Sequence, residues 1–168
     1  MTSTNGIMEV TLLQARGLKN TEFFGKIDPY VLIQYKNQEL KSQTAGGKAS
    51  KFRAYFCRCL RGQGSNPVWN EKFKFRVEYP IKGNEHHKLI LKIMDKDTFM
   101  TQDDFVGQAT INLKELFAIG VENGMAQLPP QKYRVVSTNK TYHGEIKVGV
   151  TFIAHEEADR QKDVTTSQ

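Results

Sequence analysis

The sequence predicts an all-β chain, folded as an antiparallel β-sandwich. Extended runs dominate and alternate apolar with polar residues at period two, as half-buried strands do. Turn-formers separate the runs at even spacing, and many short strands so spaced favour a sandwich. Helical periodicity is confined to Leu113-Lys114-Glu115-Leu116-Phe117.

A polar N-terminus, residues 1–5, leads into the first run, Met8-Glu9-Val10-Thr11-Leu12-Leu13. Gly25 breaks the chain before Tyr30-Val31-Leu32-Ile33-Gln34-Tyr35. Residues 45–62 have neither strand nor helix periodicity, are flanked by glycines and read as a basic loop insertion. Asn66-Pro67 then turns into a run carrying Lys72-Phe73-Lys74-Phe75-Arg76-Val77, with Trp69 expected as a core anchor at its start. Lys82-Gly83-Asn84 precedes Lys88-Leu89-Ile90-Leu91-Lys92-Ile93, and Phe105-Val106-Gly107-Gln108-Ala109-Thr110-Ile111 follows an acidic loop. Pro129-Pro130 and Thr141-Tyr142-His143-Gly144 read as turns before the closing run, Glu145-Ile146-Lys147-Val148-Gly149-Val150-Thr151-Phe152. Residues 155–168 form a polar tail expected to fray.

At 168 residues the chain has the size of one domain. No apolar stretch approaches the ~18 residues of a membrane span, and the polar start lacks the charged and apolar regions of a signal peptide, so a cytosolic protein is expected. Cys57 and Cys59 are too few for a disulfide framework or a tetrahedral zinc site and read as free thiols. The net charge is +6. It is concentrated in Lys48, Lys51, Arg53, Arg58 and Arg61, a stretch without Asp or Glu, and it points to an acidic partner such as phospholipid or nucleic acid.

The acidic residues are more informative. Asp95, Asp97, Asp103 and Asp104 crowd one loop between two apolar runs. Carboxylates this close repel one another and raise each other's pKa, which is most simply relieved by a hard cation, calcium by preference. Glu22 and Asp28 lie between the first two runs and can supply ligands from the opposite side, so that two loops make one cup. The alternative is a solvated turn, which the matching first loop makes a poor account.

Asp28-Pro29-Tyr30-Val31, Asn66-Pro67-Val68-Trp69-Asn70-Glu71-Lys72-Phe73 and Asp95-Lys96-Asp97 with Asp104-Phe105-Val106-Gly107, in this order, resemble the C2 domain, the calcium-dependent lipid-binding module of synaptotagmins and protein kinase C. The match spans roughly residues 6–154 and is most like the small single-domain plant proteins called elicitor-responsive or phloem proteins. The resemblance implies an antiparallel eight-stranded β-sandwich, in the type II permutation whose closing strand comes last. It implies calcium ligands at Glu22, Asp28, Asp95, Asp97 and either Asp103 or Asp104. The family usually carries Asp where Glu22 stands, and the third loop is one residue longer than the family pattern, so that counting forward from Asp97 selects Asp103 and counting back from Gly107 selects Asp104. Asp104 is favoured because the following strand pins it.

Function follows as an expectation: a stand-alone module that moves from cytosol to an anionic plasma membrane when calcium rises, in calcium or defence signalling. Phe23, Phe24, Phe99 and Met100 stand at the loop tips, where each apolar side chain can contribute roughly 1.5–3 kcal/mol on insertion. Lys72, Lys74 and Arg76 alternate on one face, with Lys36 and Lys41 as candidate neighbours, and form a candidate phosphoinositide surface beside the phosphatidylserine-binding cup. Plain solvation explains outward lysines equally. Lys48, Lys51, Arg53 and Arg58, interleaved with aromatics, fit a lipid-facing arm or an RNA-binding segment, or else a splice or gene-model variation. The competing class is a calcium-independent adaptor with an RNA or protein partner. The chain is expected to be monomeric and not an enzyme, since no nucleophile elbow, phosphate-binding glycine loop or zinc-protease helix is found.

Overall fold

The computed structural model describes residues 4–22, 25–45, 64–79, 87–97 and 100–155. Eight strands and one helix follow one another as β1 (Thr4–Arg16), β2 (Pro29–Tyr35), β3 (Gln38–Lys41), β4 (Val68–Tyr79), β5 (Lys88–Asp95), β6 (Asp104–Asn112), α1 (Lys114–Asn123), β7 (Met125–Val136) and β8 (Tyr142–His155). All neighbouring strands are antiparallel, in the order β3-β2-β5-β6-β7-β8-β1-β4. Between β6 and β7 the ladder narrows to the pair Gln108 and Val136. There the ribbon folds over into two four-stranded layers. The closing strand β8 lies between β7 and β1, as the permuted connection requires.

The alternation in the sequence becomes the layering. In β5, Leu89, Leu91, Ile93 and Asp95 are buried while Lys88 is exposed and Ile90, Lys92 and Met94 are half-buried. Tyr35 of β2 and Phe75 of β4 belong to different layers, yet their rings meet edge to face at 6.3 Å. Phe117 of α1 joins them, 5.9 Å from Tyr35 and 4.9 Å from Phe152 of β8. Such edge-to-face pairs add about 0.5–1.5 kcal/mol each beyond the area they bury.

Three elements depart from the sequence reading. The helix runs from Lys114 on to Asn123, with Gly120 seated where a Cβ would lie 2.3 Å from Phe152 and Gly124 capping the end at φ 80°. Pro129 and Pro130 lie inside β7 and not in a turn. The β7–β8 register shifts between Leu128 and Gln131, a bulge that accommodates residues without an N–H. The four-residue strand β3 has no alternation to reveal it, being mostly exposed at the sheet edge.

Register fixes the two ends of the sandwich. Pro29 pairs with Asp95, and Asp95 with Asp104, so the start of β2, the end of β5 and the start of β6 share one end. Lys88 pairs with Asn112 at the other, where α1 begins. The described residues after β1 and before β2, those between β5 and β6 and the turn before β8 lie at the first end, because Arg16 pairs with Glu145 and Asp95 with Pro29 and Asp104. Trp69 is half-buried against the core, and its indole N–H donates to the Pro29 carbonyl at 3.2 Å. It thus ties β4 to the same end.

Candidate functional site

Asp95 is the centre of the acidic end. It terminates β5 with 1 % of its surface exposed, so its charge is held by hydrogen bonds in place of water. Oδ1 accepts from the Asp28 amide at 2.8 Å and Oδ2 from the Thr21 hydroxyl at 3.0 Å. Both donors belong to the first acidic loop. A backbone bond from Lys96 N to Asp28 O at 3.1 Å completes the junction. The two acidic loops, 67 residues apart at this contact, therefore meet edge to edge.

The first loop is shaped by local side-chain bonds. Asn20 accepts from the Glu22 amide at 3.0 Å and donates to the Gly25 carbonyl at 3.1 Å, while Gly25 takes φ 110°, which a side chain would resist. This presents the half-buried Glu22 to the third loop. Its carboxyl is raised from the ordinary 4.5, first by desolvation, then by the charges of Asp95 and Asp97, a hydrogen bond shared with Asp95 and the charge of Asp104. Asp28 is raised from 3.8 by desolvation and then by Asp95, with Lys96 opposing. Glu22 thus lies within the charge of Asp95, Asp97 and Asp104, and Asp28 within that of Asp95.

Asp103 stands apart. Its Oδ2 accepts from the Tyr30 hydroxyl at 2.5 Å and its Oδ1 from the Asp97 amide at 3.2 Å. Its pKa is lowered, chiefly by the Tyr30 bond, with the Asp97 amide, Lys41 and Lys96 assisting against desolvation. Asp104 opens β6 and is exposed. Of the two candidates for the last acidic position, Asp104 pairs with Asp95 across β5 and β6 and adds its charge at Glu22, while Asp103 is bonded to Tyr30 and the Asp97 amide. Asp97 also accepts from the Met100 amide at 3.0 Å, which folds the loop back on itself.

Among the described residues, no three His, Cys, Asp or Glu side chains are already gathered to ligand distance. The carboxylates hold amides and hydroxyls as well as one another. The donor set is nonetheless entirely oxygen, which suits a hard cation of flexible coordination such as calcium and not a thiolate- or imidazole-seeking metal. The part of the raising of Glu22 and Asp28 that comes from neighbouring carboxylates is relieved by such a charge.

Met100 is 73 % exposed at the tip of the third loop. Phe23, Phe24 and Phe99 lie outside the described residues, as do Lys48, Lys51, Arg53 and Arg58. The described flanks of the basic segment are both at the acidic end: the Ala45 amide bonds to the Pro29 carbonyl, and Gly64 lies against the Lys26 side chain. Lys72, Lys74 and Arg76 share the exposed face of edge strand β4, with Lys72 paired to Glu9 at 2.9 Å. Lys36 and Lys41 lie at opposite ends of β3, over the rings of Tyr35 and Tyr30 at 5.8 and 4.1 Å. Gln38 of β3 bonds to the Arg76 backbone, accepting from its N–H at 3.0 Å and donating to its carbonyl at 2.7 Å, so β3 lies against this part of β4. The roles of Thr21 and Tyr30 were not apparent from the sequence, since each acts across more than 70 residues. No described helix is long and apolar enough to cross a membrane.

Comparison with known proteins agrees with this architecture. The family model described as C2 domain matches residues 6–128. The 16 kDa phloem protein 1 of Arabidopsis thaliana is 46 % identical over 147 residues, covering 88 % of this chain and 84 % of its own. Elicitor-responsive protein 1 of Oryza sativa subsp. japonica is 45 % identical over 157 residues, covering 92 % and 88 %. A solved C2 domain-containing protein from a putative elicitor-responsive gene superposes with a TM-score of 0.64 at 33 % identity, covering 95 % of this chain and 96 % of that one.

Proposed function

Since the chain belongs to the C2-domain family, alongside phloem and elicitor-responsive proteins, we propose that it is a calcium-dependent phospholipid-binding module, not an enzyme, that moves from cytosol to the plasma membrane in calcium or defence signalling. The observation that carries this reading is the buried Asp95 carboxylate, which joins two acidic loops through Thr21 and Asp28 and raises Glu22 and Asp28 by its charge. Glu22, Asp28, Asp95, Asp97 and Asp104 are the ligands in this reading, and Asp103 is their brace. Calcium, when bound, supplies positive charge and open coordination positions for lipid phosphate or carboxylate oxygens. Without it the clustered carboxylates repel an anionic surface.

Two further features support the membrane as partner. Met100 is exposed at the loop tip, where an apolar side chain gains nothing from water. The basic segment springs from flanks at the same end, and each of its cations near an anionic leaflet adds about 1 kcal/mol.

The test is co-sedimentation with phosphatidylserine vesicles at physiological ionic strength, with calcium or with chelator. The chain is expected to sediment only with calcium, and the double substitution Asp95→Asn and Asp97→Asn to abolish that response. Equal binding with and without calcium would overturn the switch and favour an adaptor that acts through the basic segment.

A further inference from the structure

Three large apolar side chains stand exposed side by side on the outer face of the β7-β8-β1-β4 layer. Ile7 pairs with Ile153, and Ile153 with Met125, so they form one row across β1, β8 and β7. Directly paired residues project to the same side, and here that side is outward, because the adjacent Met8, Phe152 and Ala126 are buried. Ile7 is 38 %, Ile153 42 % and Met125 54 % exposed. An apolar residue exposed singly needs no explanation, whereas a contiguous row marks a surface that a partner covers.

The row ends on a cation. Ile7 pairs with Arg76 of β4, and Lys74, the next outward residue of that strand, pairs with Glu9. Glu9 is bridged to Lys72 at 2.9 Å. Glu78 then remains on the outward side of β4 beside Lys74 and Arg76, neither of which has an ion-pair partner among the described residues. Toward the acidic end, Lys132 and Lys147 pair with each other and Lys132 holds Glu145, so positive charge is in excess over the face as a whole. An apolar row rimmed by cations is complemented by apolar side chains rimmed by carboxylates.

Backbone geometry decides how the partner lies. At Arg76 the free edge of β4 is already occupied, because the Gln38 side chain accepts from its N–H at 3.0 Å and donates to its carbonyl at 2.7 Å. A strand cannot add there without displacing Gln38, so the partner lies on the face and not along the edge. Neighbouring strands stand ~4.8 Å apart and a helical turn rises ~5.4 Å. A helix laid across the strands therefore sets one apolar side chain per turn over Ile7, Ile153 and Met125. Its first turn falls over Arg76 and Lys74 when its N-terminus points to β4, and carboxylates are favoured in a first turn by the helix dipole. A second copy of this chain offers no such helix among the described residues, since α1 already packs Phe117 and Gly120 on Phe152.

We propose that this face docks an amphipathic helix of a partner protein, with apolar residues one turn apart and Asp or Glu in its first turn. The position favours a protein over a lipid surface: at ~3.3 Å per residue Ile7 lies about 30 Å along β1 from Arg16, toward the end of the sandwich opposite the acidic cup. A chain held to a membrane by its cup thus keeps the row clear of the bilayer. The docking itself does not depend on the membrane reading above. Its consequence does, since a chain so held would carry the partner to the membrane.

The test uses the full chain without calcium or membrane, so that its outcome is independent of the calcium switch. The probes are two synthetic helical peptides of about 18 residues and identical composition, both with Glu in the first turn. One carries its leucines at i, i+4 and i+7, and the other has them spread around the helix. The first is expected to bind about tenfold more tightly, to shift the amides of Ile7, Ile153 and Met125, and to weaken as salt is added. I7T/I153T keeps β-branched residues at exposed positions and is expected to lose about tenfold in affinity at an unchanged melting temperature. Should it melt lower, M125Q gives the same reading at the most exposed position of the row. K74Q/R76Q is expected to flatten the salt dependence. Equal binding of the two peptides, shifts that leave the row untouched, or full affinity in I7T/I153T would overturn the proposal. Self-association lost in I7T/I153T, without peptide binding, would overturn the occupant in favour of a second copy. Sedimentation with phosphatidylcholine vesicles lost in the same variant, again without peptide binding, would overturn it in favour of a lipid surface.

Discussion

The Tyr30 hydroxyl donates to Asp103 Oδ2 at 2.5 Å, joining the second strand to the loop that carries most of the acidic residues, 73 positions later. Lys41 covers the other side of the same ring at 4.1 Å, so a buried tyrosine, a lysine and a carboxylate form one brace behind the loop. A hydrogen bond to a charged acceptor contributes about 1.5–3 kcal/mol. Tyr30→Phe keeps the ring and removes only the donor. The variant is expected to lose stability within that range in urea denaturation and to bind calcium more weakly, because the loop is no longer held; an unchanged midpoint and affinity would show that the brace is idle.

The same contact separates two adjacent aspartates that chain counting leaves equivalent. Asp103 is directed to Tyr30 and the Asp97 amide, whereas Asp104 contributes to the raised carboxyl of Glu22. Asp104→Asn is therefore expected to weaken calcium binding about tenfold or more, as loss of a charged ligand does, and Asp103→Asn to reduce it less while costing stability. Calorimetric titration of both variants decides the assignment, and a larger loss from Asp103→Asn would reverse it.

Sequence patterning reveals those elements whose two faces meet different media. β5 alternates buried and less buried residues along its length, and its pattern alone identifies it. β3 escapes because an edge strand with three of four residues exposed has no second face to mark. β7 escapes because Pro129-Pro130 imitates a turn. Within the fold the pair sits at a bulge, and Pro130 packs on Gly149 of β8, where a Cβ would lie 3.1 Å away. The acidic cup is legible because carboxylates cluster along the chain. Thr21 and Tyr30 are not, since only tertiary register brings their partners together.

Tyr35 illustrates a cost in the core itself. Its ring meets Phe75 and Phe117, but its buried hydroxyl has no hydrogen-bond partner among the described residues. Desolvation, aided by the charge of Glu78, pushes its pKa from 10.0 up to about 12. Below pH 10 the phenol is neutral in both folded and unfolded chains. Between 10 and about 12 the unfolded chain loses its proton first, so stability falls as pH rises through this window. Tyr35→Phe is expected to be neutral or to stabilise the fold by about 1–2 kcal/mol at pH 7 and to flatten the alkaline limb of a pH–stability profile. A clear destabilisation would reveal a partner for the hydroxyl.

Asp95 couples the cup to the fold, so metal and stability should move together. Anything that binds only the folded chain stabilises it, by about 2.7 kcal/mol when the ligand is a hundredfold above its dissociation constant. Calcium is expected to raise the melting temperature and a chelator to return it. Asp95→Asn keeps an oxygen for the Asp28 amide and a polar group for Thr21, so the metal-free melting point should change little while the calcium increment disappears. Asp95→Ala leaves the Asp28 amide and the Thr21 hydroxyl without their acceptor and is expected to cost about 1–3 kcal/mol before any metal is added. If Asp95→Asn retained the full calcium increment, the ion would have to be held elsewhere, and the role of Asp95 would be limited to fastening the two loops together.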